Sequence, residues 1–435
     1  MTEFVTVIGA GLAGCEAAWQ LAERGVRVRL CEMKPEKKTP AHVSNDFAEL
    51  VCSNSLRSDE LTNAVGLLKE ELRRLGSLIM LCADANRVPA GGALAVDRVS
   101  YARMVTEKIR SHPNIEVVGQ EITKIPEGEV IIASGPLTSD PLAKEIARLC
   151  PDSDLHFYDA AAPIVTAESV DMESAFFASR YGKGSADYIN CPMTRDEYTA
   201  FWRELCRAEQ APVHGFDDGG VFEGCMPVEV MARRGEDTLR FGPMKPVGLA
   251  DPRTGQEYYA VVQLRRDNAE GSIYNIVGFQ THLRFPEQRR VFSMIPALKN
   301  AEFVRYGVMH RNTYLNSPQL LDRYYRLRGT ECISFAGQMT GVEGYVESCA
   351  SGLLVGIETA RRVLGKPAAD FPQETAVGAL AQYISGGSVG AFQPMNINFG
   401  IIAPLGYKVK GKRNKNAEIS KRALEIIDRL KEEKA

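Results

Sequence analysis

The sequence predicts an α/β chain in which a Rossmann-type nucleotide-binding domain is assembled from two separated stretches, with a smaller α+β unit inserted between them. Three observations carry this. A glycine-rich turn joins the first strand to the first helix. A second strand-to-glycine turn comes more than 300 residues later. Between them the texture changes from strand–helix alternation to short β-rich segments bounded by turn residues.

Residues 4–8 (FVTVI) form a β-branched run that ends on glycine, the pattern of a strand buried on both faces. Helical periodicity covers residues 14–24, Gly25 fits the helix stop, and residues 26–31 read as a second strand, which closes a βαβ unit. A polar, loop-rich stretch follows over 34–59, then a helix over 63–75. The PAGGA turn at 89–93 precedes a helix over 98–109. Residues 129–136 (EVIIASGP) read as a short buried strand ending in a glycine turn. From about Tyr181 the strands are short, as at 258–264 and 272–279, so residues 185–325 are assigned to the insertion and 1–184 with 326–435 to the divided domain. The strand–glycine pattern returns at 332–337 and leads into a small-residue helix that ends near Leu364. In the tail, Lys408, Lys410, Lys412, Arg413 and Lys415 precede a helical stripe of Ile419, Ala423, Ile426, Ile427 and Leu430. That basic run reads either as a solvated loop before a docking helix or as a phosphate-contact patch.

Composition narrows the function classes. Apolar residues at 45% and charged residues at 25% are ordinary globular values over 435 residues, enough for two cores. No apolar run reaches the roughly 18–20 residues that a membrane span needs. The opening MTEFVTVIGAG has no basic lead and runs into glycines, so it reads as a first strand and not a signal peptide. Ten cysteines are scattered without a CxxC pair, which indicates neither a zinc ribbon nor a disulfide framework; reduced thiols in a cytoplasmic setting are expected, and no metal site. A net charge of −3 argues against gripping nucleic acid with the whole surface. Nothing indicates an obligate protein partner.

Gly9-Ala10-Gly11-Leu12-Ala13-Gly14 follows a strand and opens a helix. Gly9 permits the tight turn, Gly11 lets the backbone approach a pyrophosphate, and Gly14 brings helix against strand. The helix N-terminus adds free N–H groups and a positive dipole end. Glu32 closes the second strand, where a carboxylate can take the ribose hydroxyls. An NAD dehydrogenase usually completes its site within one doubly wound unit. Here the late turn at Gly337-Gln338, with Gly341 beyond it, resembles the second motif of glutathione-reductase-like two-part FAD proteins, and 133–135 (ASG) resembles their middle turn. FAD is therefore the expected cofactor. An S-adenosylmethionine site would share the first turn but not the late return.

Two cysteines stand in loop-like surroundings. Cys52 lies in ELVCSNSLRS (49–58) and Cys225 in FEGCMPVE (222–229), whereas Cys15, Cys31, Cys150 and Cys206 sit in apolar helix or strand contexts that suit inert core thiols. Reactivity needs a thiolate, hence nearby positive charge or a helix N-terminus. Arg57 and Arg233-Arg234 are close in sequence only.

The segments PAHVSNDFAELVCSNSLRS (40–58), PAGGALAVDR (89–98), FEGCMPVEVMARRG (222–235), FGPMKPVGL (241–249), IVGFQTHL (276–283), VRYGVMHRNTY (304–314) and FAGQMTGVEGYVESCASG (335–352) closely resemble the bacterial methylenetetrahydrofolate–tRNA-(uracil-5-)-methyltransferase family. The resemblance spans nearly the whole chain and is loose only in the basic tail. The family is related to a longer flavoprotein that modifies the tRNA wobble uridine, and this sequence shows no counterpart of that relative's additional C-terminal domain. The resemblance implies C5 methylation of a uracil in RNA, first of all the T-loop uridine (position 54 of tRNA), with methylenetetrahydrofolate as one-carbon donor, reduced FAD as hydride donor, and NADPH or NADH as reductant. Ribosomal RNA is a target of other members. Uracil C5 is a poor nucleophile until a thiolate adds at C6 and turns the ring into an enolate. By resemblance Cys225 is that nucleophile. Cys52 assists, by taking the C5 proton or by shielding the one-carbon unit, and the two roles are interchangeable at this stage. His282 and His310 read either as folate or RNA contacts or as hydrogen-bonded structural residues. Arg233, Arg234, Lys245 and Arg284 are candidate phosphate or folate-glutamate contacts. Two other classes remain: a flavin oxidoreductase acting on a small metabolite, and an RNA-binding flavoprotein whose cofactor is structural.

Overall fold

A computed structural model describes residues 4–432 apart from 40, 151–154, 161, 183–184, 212–225, 269–270, 308, 388–391 and 393. The chain opens with strand β1 (Val5–Ile8), helix α1 (Leu12–Ala22) and strand β2 (Val28–Glu32). An excursion follows: β3 (Ser55–Ser58), helices α2 (Ala64–Arg74) and α3 (Leu78–Ala85), then β4 (Arg87–Val88) and β5 (Ala93–Val96), which complete a small antiparallel sheet with β3. Helix α4 (Arg98–Ser111) leads to β6 (Ile115–Gly119), and β7 (Val130–Ile132) returns beside β1. Asp97 caps α4 by accepting from the Ser100 amide at 2.9 Å. After helix α5 (Asp140–Leu149), strand β8 (Leu155–Ala160) leaves this layer.

The second layer is a six-stranded antiparallel sheet. It comprises β9 (Ile164–Thr166), β10 (Phe176–Ala178), β11 (Tyr188–Met193), β12 (Ala260–Arg266), β13 (Ile273–Ile276) and β14 (Phe303–Arg305), in the order β10-β11-β12-β13-β9-β14. Helices α6 (Arg195–Arg207), α7 (Val228–Arg233), α8 (Thr238–Phe241) and α9 (Phe285–Phe292) supply its apolar cover, with Phe201, Leu239, Phe279 and Phe292 fully buried. The chain comes back through β15 (Met309–Tyr314), which pairs antiparallel with β8 over its whole length. The short helix α10 (Ser317–Leu320) and strand β16 (Ile333–Phe335) follow, and β16 adds to β7. The parallel sheet thus runs β16-β7-β1-β2-β6, so the first and last thirds of the chain share one sheet. The expected α/β architecture, with its late return to a Rossmann-type sheet, is present.

β9 and β10 precede residue 185, yet they hydrogen-bond only within the antiparallel sheet. We propose that the inserted unit begins where β8 leaves and ends where β15 returns, and not at 185 and 325. Strands of three residues are too short for periodicity to assign them.

Helix α11 (Tyr345–Val363) lies directly across α1. A Cβ on Gly352 would meet the Ala13 carbonyl oxygen at 2.2 Å, and one on Gly356 would meet that of Ala17 at 2.7 Å, so only glycine permits this approach. Helix α12 (Ala376–Gln382) follows, and the last helix, α13 (Lys412–Glu432), starts earlier than the apolar stripe suggested. Lys412, Arg413 and Lys415 are therefore exposed on its first turns and not in a preceding loop. Ile419, Ala423 and Ile427 are buried, while Ile426 and Leu430 are only partly so. Ser420 Oγ donates to the Leu61 carbonyl at 2.7 Å and fixes α13 near the start of α2. Among the described residues no helix is long and apolar enough to cross a membrane.

Candidate active site

A groove opens at the carboxyl ends of β1, β2 and β7. This is where parallel α/β sheets hold ligands. Gly9, Ala10, Gly11, Leu12 and Ala13 form one wall, Glu32, Met33 and Lys34 one end, residues 133–139 the opposite wall, and Gly337, Gln338, Tyr345 and Ser348 the other end. Each glycine of the first turn has a separate reason. Gly9 has φ +99° and lies against the Ala133 carbonyl, 2.7 Å from where a Cβ would stand. Gly14 does not line the groove; a Cβ there would stand 1.8 Å from the Gly9 oxygen, so its absence lets α1 start directly on the turn. Gly11, at the N-cap of α1 with φ −75°, has nothing within 4 Å of its missing Cβ. That open volume, beside unpaired helix N–H groups, is the space a pyrophosphate needs.

Glu32 is nearly buried at the end of β2. Its Oε2 accepts from the Ala10 amide at 2.7 Å and its Oε1 from the Lys34 amide at 3.0 Å. Each oxygen keeps further acceptor capacity for hydroxyl groups. At the far end Gly337 has φ +87° and donates its amide to Ser351 Oγ at 2.7 Å; Gln338 Nε2 donates to Tyr314 Oη and to Glu343. Gly341 is not in the groove: with φ +84° it turns the chain beneath the Phe392 ring. These residues fit a bound dinucleotide. Thr39 and His42, joined Oγ1 to Nδ1 at 2.6 Å, also line the groove and carry no sequence signal that separates them from their loop.

Cys52 sits beside the Tyr345 end. Its peptide N–H donates to Tyr345 Oη at 2.8 Å, and its Sγ lies 2.8 Å from the same oxygen. The segment around it is held from both units. Arg98 Nη1 donates to the Leu50 carbonyl at 3.0 Å, and its Nη2 pairs with Asp267 at 2.8 Å. Arg265 reaches Ser53 Oγ at 2.6 Å and Asn54 Oδ1 at 3.1 Å, while Asn54 Nδ2 donates to the carbonyls of Val96 and Arg266. Buried Lys69 donates to the carbonyls of Leu56 and Arg57 at 3.0 Å each; loss of water pulls its ammonium down to about 8 against the pull of Asp59. Arg57, at φ +64°, pairs with buried Glu347 on the first turn of α11. A non-glycine residue persists at positive φ where its surroundings over-determine it.

The Arg98–Asp267 pair is nearly buried and joins the two layers. Removing one partner strands the other charge, so Asp267→Asn is expected to destabilise the fold by about 3 kcal/mol. Thermal unfolding of both proteins measures this, and an unchanged midpoint contradicts it.

Cys225 lies outside the described residues. His282 does not line the groove: it is buried, its Nδ1 is 2.7 Å from Glu229 Oε1, and its amide donates to the same carboxylate at 2.9 Å. Of its two readings the structure favours the hydrogen-bonded structural one. The side chain of His310 is outside the described set. Arg233 Nε donates to the Cys206 carbonyl at 3.4 Å, and Arg284 pairs with Glu209 on the surface.

The comparisons with known proteins agree with this geometry. A family model described as Glucose inhibited division protein A matches residues 4–367. The chain belongs to that family. It is 62% identical over 428 residues to the methylenetetrahydrofolate–tRNA-(uracil-5-)-methyltransferase TrmFO of Acetivibrio thermocellus, covering 98% of each chain. It is 59% identical to the TrmFO of Lactobacillus gasseri, covering 100% of this chain and 99% of that one. Among solved structures, Aquifex aeolicus GidA in its form II crystal aligns with a TM-score of 0.71 at 15% identity, covering 98% of this chain and 73% of that chain. That likeness establishes the fold the family shares.

Proposed function

We propose that the chain methylates C5 of uracil in tRNA, taking the one-carbon unit from methylenetetrahydrofolate. One observation carries the reading. Relatives at 57–62% identity, matched over 97–100% of this chain, all bear a name for that reaction. FAD, when bound in the groove, supplies the hydride that takes the transferred carbon from the methylene to the methyl level. The amides of the first turn and the start of α1 hold the pyrophosphate, Glu32 orients the adenosine ribose, and the turn at Gly337 and Gln338 supports the flavin end. Cys225 adds as thiolate to C6 and makes C5 nucleophilic; Cys52, fixed beside Tyr345, takes the C5 proton as the folate nitrogen leaves the transferred carbon, and reduction of that carbon to methyl expels Cys225 from C6 as thiolate. NADPH or NADH would be the source of the reducing equivalents. The target is the T-loop uridine, reached by flipping it from the RNA fold, and the setting is the cytoplasm.

The donor provides the test. With purified protein, NADPH and unmodified tRNA, label from the methylene carbon of methylenetetrahydrofolate is expected in 5-methyluridine. Label arriving from the methyl group of S-adenosylmethionine in the absence of folate overturns the reading.

A further inference from the structure

Tyr345 is 293 residues from Cys52 in the chain and meets it through three contacts. Its oxygen receives the Cys52 amide at 2.8 Å and lies 3.4 Å from the Ser53 amide, and Cys52 Sγ stands 2.8 Å away. The arrangement fixes the direction of the hydroxyl proton. Two backbone N–H groups point at the phenol oxygen and occupy its acceptor side, and neither can take a proton from it. The hydroxyl hydrogen is left with Sγ as its acceptor. We infer that Tyr345 is the positioning residue of Cys52, aiming its hydroxyl proton at Sγ so that the thiolate form is the stabilised one.

The surroundings agree. Arg98 and Arg305 are cations close to the pair, Arg98 carrying Asp267 as its partner and Arg305 facing Glu49. Arg98 is held in place by Leu50 and Asp267, and Arg305 ends β14 of the inserted sheet. Burial and the adjacent thiol push the Tyr345 phenol well above its ordinary range, so it stays a neutral donor across working pH. Tyr345 also lines the groove as the first residue of α11, as does Val51 next to Cys52. A hydroxyl donor on a thiolate is worth a shift of about one pH unit, or about tenfold in thiolate population at a fixed pH below its midpoint.

The inference rests on the proposed role of Cys52 as a working thiol in uracil methylation, but alkylation of Cys52 needs neither RNA nor folate. The test is the pH dependence of iodoacetamide labelling of flavin-loaded protein, with the Cys52 peptide quantified by mass spectrometry. In Tyr345→Phe the midpoint is expected about one unit higher, with labelling near neutral pH about tenfold slower, while flavin absorbance shows that the groove is intact. Should the phenylalanine variant not accumulate as folded protein, 3-fluorotyrosine placed at 345 keeps the size and strengthens the donor, and the midpoint is expected to fall. An unchanged or lowered midpoint in Tyr345→Phe, or an unchanged one with fluorotyrosine, overturns the inference. A shifted midpoint in a protein that methylates no RNA upholds it and sinks the functional reading instead.

Discussion

Replacing Cys225 by serine is expected to leave the flavin in place and to abolish methylation, a loss of several orders of magnitude. The reason is chemical. Uracil C5 attacks a one-carbon electrophile only after a nucleophile has added at C6, and a hydroxyl near neutral pH is far weaker than a thiolate. Residue 225 belongs to neither glycine turn that lines the groove, so cofactor binding is expected to survive. RNA containing 5-fluorouridine makes the step visible, because fluorine cannot leave C5 as a proton does and the thioether to C6 persists. Mass spectrometry should place that crosslink on Cys225. A crosslink on Cys52 exchanges the roles of the two thiols, and an active enzyme that forms no thiol adduct contradicts the nucleophilic mechanism.

The second large effect separates two glycines three residues apart. Gly11→Val is expected to yield folded, colourless protein. Its backbone is compatible with any side chain, and nothing of the protein stands within 4 Å of the added carbon, so only the ligand is displaced. Gly14→Val is expected to yield little folded protein at all. Its Cβ would overlap the Gly9 carbonyl oxygen at 1.8 Å, and the strand–turn–helix cannot open without dismantling the sheet edge that Gly9 and Ala133 share. Flavin absorbance and thermal unfolding of the two variants side by side distinguish them. Full FAD occupancy in Gly11→Val contradicts the assignment of the first turn.

These two variants also mark what a sequence can and cannot disclose about this fold. The first turn was legible because the demands on it are local: a strand, a turn with positive φ at Gly9, and a helix that starts at once. The late return was legible because Gly337 faces the same need. Two features depend on tertiary contact and were not. Strands β9 and β10 have three residues each and owe their place to partners on β13 and β11, so no periodicity could assign them to the inserted sheet. Tyr345 stands in a glycine-flanked segment where nothing local ties it to Cys52, and the link exists because α11 and the loop after β2 converge on one groove. The same holds for Asp267 and Arg265, which fix the Cys52 segment from the other layer. In His282 the ambiguity lay in the residue type, and burial against Glu229 resolved it.

Nucleoside analysis of a single reaction identifies which atom of which RNA receives the carbon. Purified protein, NADPH and methylenetetrahydrofolate labelled at the methylene carbon are incubated with an unmodified tRNA transcript, and a parallel transcript carries cytidine in place of the T-loop uridine. The account predicts labelled 5-methyluridine from the first transcript and none from the second. Label at the wobble uridine, or equal label in both transcripts, contradicts it.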